Sequence, residues 1–261
     1  MSNASDSFIL ISLTVVSFVL SYFGASVGLV LGSVRLPLLV YALGSPLSAT
    51  GTNLAISSMG AMAATYFHMR QGRINFRLLC TIGIPSVIGA VLSVLALAHM
   101  KHHWLKILLG IMLIHSGYQM TNSPKHNPSK KRRSFRSSLI TEGVIGVAIG
   151  ALSSAVGLML SSIRLPAMIQ VLRVEPKEAI GTNLAISFFT GIVGAVATLC
   201  VSEVNLPIIL SVAPATLAGS YLGARFVAKI DPLKLRKILT WTLIGLGIFM
   251  IGESLLPKIP A

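Results

Sequence analysis

The chain has 261 residues, of which 54% are hydrophobic and 11% are charged, and its mean hydropathy is +0.82. A soluble globular domain carries roughly 25% charged residues, so this composition excludes a soluble enzyme and a nucleic-acid-binding domain, despite the net charge of +14. At about 20 apolar residues per crossing, we predict a single polytopic membrane domain over residues 1–261.

The apolar runs predict ten membrane elements in two groups of five. The first group lies at about 8–31, 36–44, 46–68, 74–98 and 104–120, and the second at about 139–160, 165–173, 176–199, 205–227 and 233–252. The stretch before the first run has no Lys or Arg, which favours a permanent membrane segment over a cleaved signal peptide. In both groups a proline is expected at the start of the short second element and of the third element. These prolines are Pro37, Pro46, Pro166 and Pro176.

Two segments of the chain occur twice. Gly28–Pro37 recurs as Gly157–Pro166 with 7 of 10 residues identical, and Gly51–Ser57 recurs unchanged as Gly181–Ser187. The offsets are 129 and 130 positions, so the copies stay in register apart from one inserted residue. Such a duplication is typical of transporter folds.

The polar segment 121–138 separates repeat 1 (residues 8–120) from repeat 2 (residues 139–252) and carries six Lys and Arg residues. Although such a run resembles a nucleic-acid-binding patch, the positive-inside rule favours a cytoplasmic loop. With this loop inside, 16 of the 21 basic residues fall on the cytoplasmic side and 3 outside, and both termini lie outside. Five elements per copy then invert the second copy relative to the first. We predict an all-α integral protein of the cell (inner) membrane, built from two inverted repeats that each contain a short or re-entrant helix and a broken helix.

The two remaining basic residues, Arg35 and Arg164, fall inside apolar sequence. Each precedes a short element that is roughly 13 Å long if helical, about half of a ~30 Å hydrocarbon core, so each is expected near the membrane midplane. A buried arginine costs about 2.5–3.5 kcal/mol on insertion scales, and all seven acidic residues are expected at termini, loops or segment ends. We therefore predict that a bound oxyanion is the counter-ion. The alternative is that each arginine caps backbone carbonyls at a helix end.

Glycine and small polar residues follow about a turn and a half into the third element of each copy. We predict that the helix breaks there and offers N–H and side-chain donors to the anion; the alternative is a polar kink or helix contact. Two serines, each two residues before an arginine, are further candidates, with simple close packing as the alternative. The predicted substrate-binding residues are Arg35, Arg164, Gly51, Thr52, Asn53, Gly181, Thr182, Asn183, Ser33 and Ser162.

Other chemistry is not indicated. Cys80 and Cys200 stand in separate apolar segments with no metal-ligand spacing. The sequence Gly24-Ala-Ser-Val-Gly28 fits the G-x-S-x-G pattern, but no strand precedes it and the second copy has Ala155 in place of Ser26. We predict no catalytic residue, no metal and no cofactor, and an intramembrane hydrolase that uses Ser26 is the alternative outside transport.

The paired motifs resemble the TauE/SafE family of sulfite exporters over about residues 8–252. The resemblance rests on a glycine-rich first segment leading to a proline, a second proline, and Gly-Thr-Asn-Leu at 51–54 and 181–184. It implies a transporter that exports sulfite or a related organosulfur anion. Many members have apolar residues where this chain has Arg35 and Arg164. This departure favours a small oxyanion that both arginines coordinate, and sulfite is the predicted substrate.

Export of an anion from a negative cell interior gains about 2.3 kcal/mol per charge per 100 mV. A coupling ion is therefore not required, and the expected mechanism is uniport driven by the membrane potential. Thiosulfate or a small organosulfonate remains an alternative substrate, and a channel-like anion pore remains an alternative mechanism. The glycine spacing and apolar faces permit a homodimer, and nucleic acid is not an expected partner.

Overall fold

The structure is a computed structural model. It describes residues 3–27, 29–97, 135–155, 161–172 and 174–225, together with single helical positions between 104 and 118 and between 237 and 252. These residues form helices, turns and short connections, with no strand among them. The helices are α1 (Asn3–Val27), α2 (Gly32–Leu43), α3 (Pro46–Arg70), α4 (Phe76–Leu97), α5 (Phe135–Ala155), α6 (Ser161–Pro166), α7 (Pro176–Leu199) and α8 (Leu206–Arg225). A π-helical turn, Ala167–Val171, follows α6.

Four helical segments in the described part of the chain are long and apolar enough to cross a bilayer: Ile9–Ser26, Phe76–Leu95, Lys177–Leu199 and Leu206–Arg225. Large apolar side chains on them face outward, among them Ile11, Leu92 and Leu210. For the described residues, the prediction of a helical membrane protein is therefore confirmed. α3 is not among these four segments. Its buried residues include the polar side chains Thr50, Thr52, Asn53, Ser57 and Ser58.

Prolines begin the third helices as expected. Pro46 stands at the N-terminus of α3, where its missing N–H leaves no intrahelical bond unmade. The preceding Ser45 caps that end by accepting a hydrogen bond from the N–H of Ser48. Pro176 begins α7 in the same way.

The helix break lies elsewhere than predicted. α3 and α7 run unbroken through Gly51–Asn53 and Gly181–Asn183, so the break expected there is wrong. Among the described residues, the helical path is interrupted instead at residues 29–31, between α1 and α2. The threonine and asparagine side chains of these two segments form hydrogen bonds with neighbouring elements, as described below, and both helices stay continuous.

The bounds of the short elements also differ from the prediction. α2 begins at Gly32 and contains Pro37, and α6 ends at Pro166, so neither proline begins its helix. Proline has no N–H to donate into the preceding turn, and the π-helical turn directly after Pro166 is a local departure from α-helical bonding. The last residues of the predicted loop 121–138 belong to α5, which begins at Phe135. Residues 121–134 lie outside the described residues.

α3 and α7 pack against each other in opposite directions. Gly51, near the start of α3, lies against Thr198 at the end of α7, and Gly181, near the start of α7, lies against His68 at the end of α3. Each glycine permits this approach because a Cβ atom at either position would clash with the facing segment. The central helices of the two copies are therefore antiparallel.

The outer helices are exchanged between the copies. Gly219 of α8 lies against the backbone carbonyl of Phe18 in α1, and Gly89 of α4 lies against the backbone carbonyl of Val147 in α5. Phe18 and Val147 are 129 positions apart and the two glycines are 130 apart, which are the offsets of the sequence repeat. The same close contact thus occurs twice, each time between helices of different copies.

One acidic residue is placed differently from the expectation for the seven acids. Glu142 is the eighth residue of α5 and only 2% exposed, so it is not at a segment end. Its Oε1 lies 3.3 Å from Nη2 of Arg77 in α4. This carboxylate therefore pairs with a cation of the neighbouring helix.

Gly150→Ala tests the close packing of α5 on α4. A Cβ at Gly150 would overlap the backbone of Ser86, whereas nothing lies within 4 Å of a Cβ at Gly143 on the same helix. Because the clash is with backbone, we expect Gly150→Ala to lower the stability by about 1–3 kcal/mol, measured by thermal unfolding of the purified protein. Gly143→Ala is the matched control and should be neutral or stabilising, because alanine is favoured over glycine in a helix. Equal stability of the two variants would contradict the packing.

Candidate functional site

Arg35 of α2 is held by four hydrogen bonds to neutral groups. Its Nε donates to Asn53 Oδ1 at 3.0 Å, and its Nη2 donates to Ser57 Oγ at 2.7 Å and to the Asn53 carbonyl oxygen at 3.3 Å. Its Nη1 donates to Ser17 Oγ of α1 at 3.2 Å. Asn53 and Ser57 are four residues apart on α3, so they share the face of the helix that meets the guanidinium.

Arg164 of α6 repeats three of these four hydrogen bonds in the second copy. Its Nε donates to Asn183 Oδ1 at 2.7 Å, and its Nη2 donates to the Asn183 carbonyl oxygen at 3.3 Å and to Ser187 Oγ. The amide group of Asn183 also donates to the Ser161 carbonyl oxygen at 3.3 Å. The geometry repeats because Gly51–Ser57 and Gly181–Ser187 have identical sequences.

Both guanidinium groups are buried without an acidic partner. Arg35 is 2% exposed and Arg164 is 1% exposed. Within the part of the chain that the structure describes, neither lies within ion-pair distance of a carboxylate. Neutral acceptors satisfy donors but leave the positive charge uncompensated, which is costly in a low-dielectric interior. The alternative of backbone capping accounts for one bond per arginine, and the carbonyl lies inside a helix, not at its end.

The glycine and threonine residues of the repeated motif join the two copies. Thr52 Oγ1 accepts a hydrogen bond from the N–H of Asn205 at 3.0 Å, and Thr182 Oγ1 accepts one from the N–H of Asn75 at 2.9 Å. Gly51 and Gly181 leave room for these connecting segments. In this structure, therefore, only the asparagine of each Gly-Thr-Asn motif contacts an arginine. The side chains of Ser33 and Ser162 lie outside the described residues.

A small cavity of about 20 Å³ lies beside Arg35. Hydroxyl-bearing side chains of three helices line it: Ser21, Ser57, Thr216 and Ser220. Leu184 of the second copy also lines it, and the residue before Leu184, Asn183, is the partner of Arg164. The N–H of Val30 donates to Ser161 Oγ at 2.9 Å, so the interruption before α2 contacts the first residue of α6. The cavity thus lies where the two copies join.

Sequence reasoning missed several groups of this site. Ser57 and Ser187 carried a usable signal, because they belong to the identical heptapeptide and follow the asparagines at the i+4 spacing of one helix face. Ser17, Ser21, Thr216 and Ser220 carried none, since they come from helices whose contacts across the repeats are not written in local sequence.

Comparison with known proteins decides the family. The model of the family described as "Sulfite exporter TauE/SafE" matches residues 13–250. The chain belongs to this family. It is accordingly a membrane transporter of the TauE/SafE type.

Two curated relatives are similar to this chain over most of their length. A "probable membrane transporter protein" of Methanocaldococcus jannaschii is 26% identical over 255 residues, covering 92% of this chain and 94% of the relative. A protein of Bacillus subtilis with the same description is 25% identical over 230 residues, covering 81% and 83%. No solved structure gives a significant match.

Two adjacent serines test the arginine's hydrogen bonds. Ser57 accepts from Arg35, whereas the equally buried Ser58 donates to the Ala55 carbonyl oxygen of its own helix. Hydrogen bonds to charged groups contribute about 1.5–3 kcal/mol, so we expect Ser57→Ala to lower the thermal stability of the purified transporter clearly. Ser58→Ala is the control and should change it little. A larger loss for Ser58→Ala would contradict the assignment.

Proposed function

We propose that this TauE/SafE transporter exports sulfite from the cytoplasm and holds it near the membrane midplane with the pair Arg35 and Arg164. The observation that carries the proposal is the burial of both guanidinium groups among neutral acceptors. A positive charge that lacks a protein carboxylate is stabilised by a diffusible anion. Guanidinium groups present donors in a plane that suits the oxygens of an oxyanion.

The proposal places the two arginines in inverted repeats related by a twofold axis in the membrane plane. Three observations support this arrangement: the antiparallel packing of α3 and α7, the exchanged glycine contacts of the outer helices, and the matching asparagine and serine partners of the two arginines. Arg35 follows the helix interruption at residues 29–31, and Val30 of that interruption donates to Ser161, three residues before Arg164. Discontinuous helices that meet at a repeat interface are where secondary transporters bind substrates.

The lining of the cavity favours a compact, inorganic ion. Arg35 is the cation at its wall, and the hydroxyls of Ser21 and Ser220 beside it can donate to an anion oxygen, whereas Thr216 donates to the Val212 carbonyl oxygen. The cavity, at about 20 Å³, must expand to hold any oxyanion. The smallest oxyanion requires the least expansion. Sulfite therefore fits better than thiosulfate or an organosulfonate, which are longer.

The cavity is closed on one side by four buried apolar residues, here called the alanine layer: Ala25, Ala64, Leu184 and Ala224. Three of them line the cavity beside Arg35, and Ala224 lines a second, larger cavity beyond the layer. A continuous anion pore would need an open path at this position. A closed layer favours alternating access, in which the repeats move to expose the arginines to one side at a time.

Sulfite flux in proteoliposomes tests the role of the arginines. Arg35→Gln and Arg164→Gln should each reduce sulfite affinity at least about tenfold, because one charge-assisted bond is lost. Asn53→Asp should abolish uptake while the protein stays folded, because it places a carboxylate beside the Nε of Arg35 and supplies an internal counter-ion.

Arg70→Gln is the matched control for these variants. It removes one positive charge from an exposed arginine that stacks on the ring of Tyr66, and it should leave sulfite affinity within about twofold of wild type. Wild-type affinity in both buried-arginine variants would refute the proposed site even though the family assignment stands.

The dependence of flux on membrane potential tests uniport. A dianion gains about 4.6 kcal/mol per 100 mV when it leaves a negative interior, so an imposed potassium diffusion potential should drive sulfite efflux without a proton gradient. We expect the flux to saturate with sulfite concentration and to carry net negative charge, measured as current on a solid-supported membrane. Electroneutral flux, or flux that requires a proton gradient, would contradict uniport, and flux that does not saturate would favour a pore.

A further inference from the structure

A second cavity, of about 270 Å³, lies at one end of the helices on the far side of the alanine layer. Its lining contains three cationic side chains from three different elements: Arg73 of the connection between α3 and α4, Lys177 of α7, and Arg225 of α8. We call this cavity the vestibule. The three residues are at least 48 positions apart in the sequence, so only the fold brings the three charges together.

His68 contributes to the vestibule a polar side chain without a hydrogen-bond partner among the described residues. The ring is 97% buried, since its exposed fraction is 3%, and neither ring nitrogen has a hydrogen-bond partner among the described residues. It packs edge-on against Phe67 and lines the vestibule. A buried donor without a partner is costly, and a ligand in the vestibule would supply one.

The vestibule and the Arg35 cavity are stacked along the same helices. Ala64 and His68 are one turn apart on α3, Leu184 and Ile180 one turn apart on α7, and in each pair the first residue lines the Arg35 cavity and the second the vestibule. On α8, Ser220 and Ala224 repeat the pattern. Four residues of helix span about 6 Å, so a single apolar layer one turn thick separates the two cavities.

We propose that the vestibule is a second binding site, in which His68, Arg73, Lys177 and Arg225 hold a small free oxyanion before it passes the alanine layer. The anion receives an N–H from His68 and charge-assisted hydrogen bonds from the cations. The nearest acidic residue in sequence, Glu178, is not a lining residue and accepts a hydrogen bond from Asn75 at 2.7 Å. The order of use, vestibule first and Arg35 second, rests on the proposed function, whereas anion binding in the vestibule does not.

Equilibrium binding of radiolabelled sulfite to the purified protein in phosphatidylcholine nanodiscs tests the site. An Arg35→Gln background removes the buried site and should retain one weaker site. In that background, Lys177→Gln with Arg225→Gln should raise the half-saturating sulfite concentration about tenfold, and His68→Leu should also raise it. Because the two cations are exposed, their substitution leaves folding intact even if His68→Leu fails to fold.

Arg70→Gln is the matched control. It removes a positive charge two residues from His68, but the side chain of Arg70 does not line the vestibule. It should leave the residual site within about twofold. Loss of all binding in Arg35→Gln would overturn the vestibule site and leave the proposed function standing. Binding that depends on Lys177 and Arg225 but not on Arg35 or Arg164 would sink the proposed function and leave the vestibule standing.

A lipid headgroup phosphate shares the chemistry of a free oxyanion, and a second titration separates the two sources. The residual site should persist when the nanodiscs contain phosphatidylglycerol. If anionic lipid abolishes the residual site of Arg35→Gln while the wild-type protein keeps its Arg35 site, the cavity holds a lipid phosphate. The proposal of a free-anion site is then overturned.

Discussion

Two arginine side chains, almost fully buried and surrounded by oxygen atoms that carry no formal charge, set the constraint on which the structure depends. Each guanidinium donates at least three hydrogen bonds to neutral oxygens, and among the described residues neither has a carboxylate within ion-pair distance. An acid next to either arginine would remove this imbalance, and the buried Glu142 instead neutralises Arg77 elsewhere in the fold. Under the proposed function, an arriving anion supplies the charge that the neutral oxygens lack.

Glycine contacts and threonine hydroxyls hold the arginines in place by joining the copies. Gly51 and Gly181 let connecting segments approach the central helices, and Thr52 and Thr182 bond to the backbone N–H groups of those segments. Each copy therefore packs its helices against those of the other, and the two arginines share this joined framework. A thin alanine layer then stands between the Arg35 cavity and the cationic vestibule, so a small displacement of helices would connect them.

Much of this could be predicted from the sequence, because the signals were global or repeated. Apolar composition indicated a helical membrane protein, and the duplicated Arg-Leu-Pro and Gly-Thr-Asn segments identified the arginines and the asparagines that contact them. The position of the helix break could not be predicted: Gly51-Thr52-Asn53 has the composition of a break, but tertiary hydrogen bonds keep α3 continuous. The hydroxyls of Ser21, Thr216 and Ser220, and the vestibule around His68, arise from helices distant in sequence, and no local pattern reports such contacts.

The most direct measurement of the central claim is the position of the anion itself. An experimental density map of the protein in lipid nanodiscs with saturating sulfite should show a compact ion within hydrogen-bond distance of the Arg35 guanidinium, in the cavity lined by Ser57 and Thr216, and absent from the Asn53→Asp variant. A map in which both arginines are fully engaged by protein carboxylates, or in which the ion lies away from both of them, would contradict the account.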